Sequence, residues 1–293
     1  RIESAKLEDQ GNLAAGYQFG YRLAILIGSS LALIYAENFS WSLTYQLMAL
    51  IMALNIICSI YISSETENSE LVKLNYKQSI IEPINDFFSR FGIKIASMLL
   101  LIIATYRLTD IVMGPMANPF YIDMGYSLSE IGYVVKVVAL IATIIGVFIG
   151  GFFIKRFGLY SSLLIGGSLV MLTNLCFSYA AINEKNLILL ASIVASDSLA
   201  AGIVGTVNIT FLTSLVSSKY TGFQYALLTS LMAFLGKIFG GFSGVLVENF
   251  QNLYGFNYGW MSFYIFTSLL AIPAILIIFF NKNFFISKHA KDN

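Results

Sequence analysis

The sequence is short of charge. Only 11% of its 293 residues are Asp, Glu, Lys or Arg, with 17 cations against 16 anions and a net charge of +1. Soluble domains average about 25% charged residues, so this chain cannot coat a water-soluble globule of its size with ions. The near-zero balance also excludes the basic field of a nucleic-acid-binding protein. Histidine occurs once, at His289 in a polar tail, and cysteine twice, at Cys58 and Cys176 within apolar runs. These residues have no metal-ligand spacing and no nucleophile-and-base arrangement, so both cysteines read as inert thiols. A glycine-rich phosphate loop and paired carboxylates at catalytic spacing are missing too, so the expectation is neither an enzyme nor a cofactor carrier. The n-region and h-region of a signal peptide are absent as well.

What is present is apolar: 57% hydrophobic residues, 24 Phe and 17 Tyr, with a mean hydropathy of +0.77. A helix needs about 20 apolar residues to cross the hydrocarbon core of a bilayer. Eight stretches qualify: Tyr17–Ala36, Leu43–Ser63, Ile93–Gly114, Ile131–Phe153, Tyr160–Ala181, Leu187–Thr213, Phe223–Glu248 and Trp260–Asn281. They predict an all-α membrane protein with eight transmembrane helices and the lipid bilayer as its solvent. Trp41 and Trp260 stand at predicted span ends, where indole prefers the headgroup level. Pro273 is expected to bend the eighth span, and Pro115 and Pro119 to lie in an outward loop.

Twelve of the cations fall on one set of alternate loops and termini, among them Lys73, Lys77, Lys155, Arg156 and Lys219. The other set carries Lys185 alone. Loops rich in Lys and Arg stay cytoplasmic, so both termini are predicted inside. The longest break, Ser64 to Gly92, begins with Glu65, Glu67 and Glu70. It then turns amphipathic, with Ile80, Ile81, Ile84, Phe87, Phe88 and Phe91 at helical spacing. That segment reads either as a helix lying on the membrane surface or as a packed linker helix. The chain therefore divides into two spans (1–63), a cytoplasmic linker (64–92), six spans (93–281) and a cytoplasmic tail (282–293).

Burying an ion at the bilayer centre costs about 2.5–3.5 kcal/mol on insertion scales, so charges within spans need partners or a purpose. The candidates are Arg22, Arg107, Asp110, Lys136, Asp197 and Lys237. Asp197 and Lys237 sit near the middle of spans six and seven, at matching depth. They read either as a pair that binds solute charge or exchanges a proton, or as a structural salt bridge. Arg107 and Asp110 share a helix face at i and i+3. With Lys136 they form an expected periplasmic-side cluster or a plain rim network. Arg22 lies near the cytoplasmic end of span one, close enough to snorkel. Gly236, Gly240 and Gly244, like Gly146 and Gly150, repeat at the spacing that lets helix backbones approach closely.

The run from Gly151 through Lys155 and Arg156 to Gly158, in the turn between spans four and five, resembles the G-x-x-x-D-R-x-G loop of the major facilitator superfamily. Lys155 stands where that loop has Asp. Three further strings are similar to the bacterial AmpG-type muropeptide permeases: Gly20 to Leu23, Glu82 to Phe88, and Phe223 to Leu228. Leu140 to Gly146 is similar to them as well. The resemblance runs from Arg1 to about Phe280. It implies two helices of an N-terminal half followed by a complete six-helix C-terminal half, with solute held between halves near the midplane. It marks Gly151, Lys155, Arg156 and Gly158 as a gating loop. It also implies proton-coupled import of anhydromuropeptides across the bacterial inner membrane, with a small glycopeptide and protons as partners. Four helices of the family precede the point matching Arg1. The expectation is therefore a split or truncated gene product, either joined by a separate chain supplying those helices or left as a non-transporting remnant. A facilitator for another solute is the remaining alternative.

Overall fold

A computed structural model describes residues 9–28, 35, 39–62 and 77–289. The regular structure among them is helical: α1 (Gln10–Leu26), α2 (Trp41–Ile62), α3 (Glu82–Tyr106), α4 (Leu108–Asp123), α5 (Leu128–Ile131), α6 (Ala139–Ala181), α7 (Leu187–Leu215), α8 (Thr221–Gly241), α9 (Ser243–Tyr254), α10 (Phe256–Leu269), α11 (Ile272–Phe280) and α12 (Lys282–His289). Two π-helical stretches, Lys77–Ile81 and Gly132–Val138, lead into α3 and α6. Among the described residues, 6 helical stretches are long and apolar enough to cross a membrane: Trp41–Tyr61, Gln78–Asp123, Ala139–Ala181, Leu187–Leu215, Thr221–Tyr254 and Phe256–Phe280. The chain is thus a multi-pass membrane protein. Glu65, Glu67 and Glu70 of the expected linker, and the cations Arg1, Lys6, Lys73 and Lys291, lie outside the described residues.

Two glycines set the long-range course of the chain. Gly158 (φ 76°, ψ 166°) interrupts α6, with the expected fourth and fifth spans on either side of it. Gly92 (φ 71°, ψ 156°) interrupts α3 between its amphipathic start and its apolar remainder. A residue with a Cβ adopts these positive φ values only under strain.

Small residues decide which helices touch. A Cβ on Gly146 of α6 would collide with the Leu199 carbonyl of α7, and one on Gly202 with the Thr143 carbonyl of α6. On Gly150 it would lie 2.9 Å from the Ile203 oxygen. The backbones meet directly, and the Thr206 hydroxyl donates across the seam to the Val147 carbonyl at 3.2 Å. Gly236 and Gly240 of α8 press in the same way on Ile111 of α4. The start of α1 lies on α6, where a Cβ on Gly11 would come within 3.0 Å of Ile154. Gln18 reaches the backbone of Gly205 in α7. α2 is different: 6% of its apolar window is buried, so both its faces are uncovered by the described residues.

Several expectations need correction. The third span does not end at Gly114. It continues through α4 to Asp123, with Pro115 and Pro119 inside the helix rather than in an outward loop. Neighbouring helices in a membrane protein absorb the cost of a missing N–H, and α8 and α10 pack on α4. For the amphipathic segment two readings were open, and the contacts are those of the packed helix. Phe87 is buried in the core, and Arg90 donates to the Leu215 carbonyl (3.1 Å), to Gln224 Oε1 (2.9 Å) and to Asp86 Oδ2 (2.9 Å). Gln224 Nε2 donates in turn to the Pro83 carbonyl at 2.8 Å. Two of the family-like strings, Glu82 to Phe88 and Phe223 to Leu228, thus meet in one latch. Trp260 is not a headgroup anchor. It is buried among Phe120, Phe177, Phe263 and Tyr264, and its indole N–H donates to Asp123 Oδ2 at 2.9 Å. Trp41, at the start of α2, is exposed. The expectation for Pro273 agrees with the structure: the eighth span breaks at Leu270 and Ala271, and Pro273 lies in the first turn of α11.

Candidate functional site

The charged groups within the spans depend on where each helix starts and breaks. α1 begins at Gln10, seven residues before the expected Tyr17, because Gly11, Ala14 and Ala15 pack its first turns on its neighbours. Arg22 is therefore about 18 Å along the helix at 1.5 Å per residue. Its guanidinium lies within electrostatic reach of Arg107. Arg107 occupies the break between α3 and α4, with φ −106° and ψ 7°. Arg107 and Asp110 stand at the start of α4, which runs on to Asp123.

Arg107 Nη2 contacts Asp110 Oδ2 at 3.3 Å, with both side chains largely buried. Asp110 lies within electrostatic reach of Asp197 on α7. Asp197 Oδ1 accepts from the Thr173 hydroxyl of α6 at 3.0 Å, and the phenols of Tyr121 and Tyr264 lie within its electrostatic reach. Arg107 with Asp110 at the α3–α4 break, and Asp197 of α7 with Thr173 of α6, are thus the polar contacts of this region. Several of its atoms are buried without a hydrogen-bond partner: Nε of Arg22, Nε of Arg107 and the hydroxyl oxygen of Tyr264. An unpaired buried donor or acceptor costs about 1–3 kcal/mol.

Lys237 does not face Asp197. It is exposed on α8 and forms no ion pair among the described residues. The glycine face of α8, Gly236 and Gly240, is turned onto Ile111, and one residue on from Gly236 the helix has rotated by about 100°. Lys136 lies in the π-helical stretch Gly132–Val138, and its side chain is outside the described residues. In the superfamily-like loop, Gly151 is buried against Ala15, Lys155 and Arg156 are exposed, and Gly158 makes the break.

Sequence reasoning passed over Thr173, Tyr121 and Tyr264. The hydroxyl residues carried no charge to single them out, although each stands inside an apolar run. At the far end, Lys185 bridges to Glu130 at 2.8 Å. That hydrogen bond, with the backbone N–H of Ser127, holds the Glu130 carboxyl down to about 2.

The architecture is one of long apolar helices interrupted at glycines and closely packed through small residues. The sequence pattern of the Major Facilitator Superfamily matches residues 2–241, and the chain belongs to that superfamily. Within it the chain is AmpG-like. It is 32% identical over 290 residues to the AmpG 4 protein of Rickettsia conorii, covering 96% of this chain and 66% of that one. It is 28% identical over 288 residues to the AmpG 1 protein of Rickettsia bellii, covering 97% and 68%. It is 30% identical over 274 residues to the anhydromuropeptide permease of Escherichia coli K12, covering 92% and 53%. The chain therefore spans about two thirds of the rickettsial relatives and about half of the Escherichia coli one.

Proposed function

We propose that the chain forms the solute pathway of a proton-coupled importer of anhydromuropeptides in the bacterial inner membrane. The Arg107–Asp110 ion pair and the Asp197–Thr173 hydrogen bond inside apolar helices carry the reading, and the likeness to a permease named for anhydromuropeptides supplies the solute class. Ionisable groups in an apolar span region are costly, and such placement suits a pathway for charged solute and protons. In this reading the chain crosses the membrane eight times, two spans of an N-terminal half (1–63) preceding a linker (64–92) and a six-span half (93–281). Both termini, with the tail 282–293, are cytoplasmic. Arg22 and Arg107 meet solute, Asp110 sets the position of Arg107, and Asp197 takes up and releases the proton. Lys136 and Lys237 border the pathway. Gly151, Lys155, Arg156 and Gly158 form the gating turn.

The test is uptake of labelled anhydromuropeptide into membrane vesicles, with and without an imposed proton gradient. Gradient-dependent uptake above that of vesicles lacking the protein is expected, and equal uptake in the two overturns the reading. A second reading has this chain transport only alongside further helices from a separate chain, and the uncovered faces of α2 favour it. Co-expression with the N-terminal part of a longer relative would then raise uptake, while the chain alone would give none.

A further inference from the structure

We infer that Thr173 is a positioning residue for Asp197: its hydroxyl proton turns between the Asp197 carboxylate and the Val170 carbonyl as Asp197 loses and gains a proton. The inference rests on the proton-exchange role proposed for Asp197 and adds the device that responds to it. Thr173 Oγ1 lies 3.0 Å from Asp197 Oδ1 on α7 and 3.1 Å from the carbonyl oxygen of Val170 on its own helix, α6. A hydroxyl has one proton to donate and two lone pairs with which to accept. It therefore serves one of these two acceptors fully at a time. Thr173 is buried, where the choice of partner weighs more than it would in water.

With Asp197 ionised, the hydroxyl donates to Oδ1. With a proton on Oδ1, that oxygen becomes the donor: its O–H turns to Thr173 Oγ1, and the threonine proton turns to Val170. Neither state orphans the Val170 carbonyl, because a second side chain donates to it throughout. Asn174 Nδ2 lies 3.1 Å from that oxygen, and the Thr267 hydroxyl of α10 fixes the orientation of Asn174 by donating to its Oδ1 at 2.9 Å. Asn174 and Thr267 are both fully buried. Without them, an unpaired buried acceptor would hold the Thr173 proton on Val170. Of the other titratable groups, Asp110 and Tyr121 on α4 and Tyr264 on α10 lie within electrostatic reach of Asp197. No cation pairs with it among the described residues.

Infrared titration of the purified, detergent-solubilised protein reads the carboxyl directly. The band of the protonated acid grows as pH falls, and the part of it that Asp197→Asn removes belongs to Asp197. A hydroxyl donating to a carboxylate favours the charged form. Thr173→Val, which keeps the shape and drops the donor, is therefore expected to move the half-point of that band up by about one pH unit, the tenfold change that one hydrogen bond to a charged group supplies. Thr173→Ala should shift it in the same direction, and Thr173→Ser, which keeps the donor, should titrate as wild type does. A threonine that only packs α6 on α7 would lower the unfolding temperature of Thr173→Val without moving the half-point. An unmoved half-point in Thr173→Val, or no Asp197-dependent band at any pH at which the protein stays folded, overturns the switch. Vesicle uptake separates this from the transport reading. The expected titrations without gradient-driven uptake remove transport and keep the switch. Gradient-driven uptake with an unmoved half-point removes the switch and keeps transport.

Discussion

Asp197 accepts a hydrogen bond from Thr173 and has no cation paired with it among the described residues. A carboxylate in that setting is held in place by a neutral hydroxyl and is free to exchange a proton without breaking an ion pair. Asn at this position keeps an oxygen for the Thr173 hydroxyl and cannot carry the charge. Asp197→Asn is therefore expected to insert in wild-type amount while losing gradient-driven uptake, as read by immunoblot of membranes beside the vesicle assay. Wild-type uptake would make Asp197 a packing residue. At this scale the pairing of Arg107 with Asp110 was legible, because i and i+3 on a helix share a face whatever surrounds it. The partner of Asp197 was not. Matching depth brought Lys237 to mind, but a partner also needs the right rotation about the helix axis. The contact of Gly236 and Gly240 with Ile111 sets the rotation of α8, and no pattern in the sequence states which neighbour a glycine face meets.

Among elements, the α6–α7 seam is the tightest contact, since backbone meets backbone at Gly146, Gly150 and Gly202. Gly146→Ala drives a methyl into the Leu199 carbonyl and is expected to destabilise by about 1–3 kcal/mol, the usual cost of overpacking. Gly20 of α1 has nothing within 4 Å of an added Cβ, so Gly20→Ala should be neutral or stabilising by up to about 1 kcal/mol. Denaturant-induced unfolding of the two variants in detergent reads the difference. The small-residue spacing announced this packing in advance, because only small side chains let helices come so close. The ends of the elements were harder to read. Proline usually ends a helix in water, so Pro115 and Pro119 pointed to a loop, yet packing against α8 and α10 carries α4 through both.

For the molecule as a whole, apolar runs and the loop bias of Lys and Arg made the helical membrane class plain, since lipid demands both. How α1 seats on α6 and α7 was beyond reach, because it depends on contacts between segments far apart in the chain. The topology is open to a direct check in a protein lacking Cys58 and Cys176, both of which are exposed. A cysteine replacing Lys185 is expected to react with a membrane-impermeant maleimide on intact cells, and one replacing Lys155 only after permeabilisation. The reverse pattern would invert the protein. The chain also carries its own optical reporter. Its two indoles live in opposite surroundings, Trp260 at 1% exposure with its N–H on Asp123 and Trp41 at 57%. Their emission should differ in colour and in access to a water-soluble quencher. In a Trp41→Phe background, any motion that parts α10 from the end of α4 would be visible as a red shift of a single fluorophore, with no dye attached.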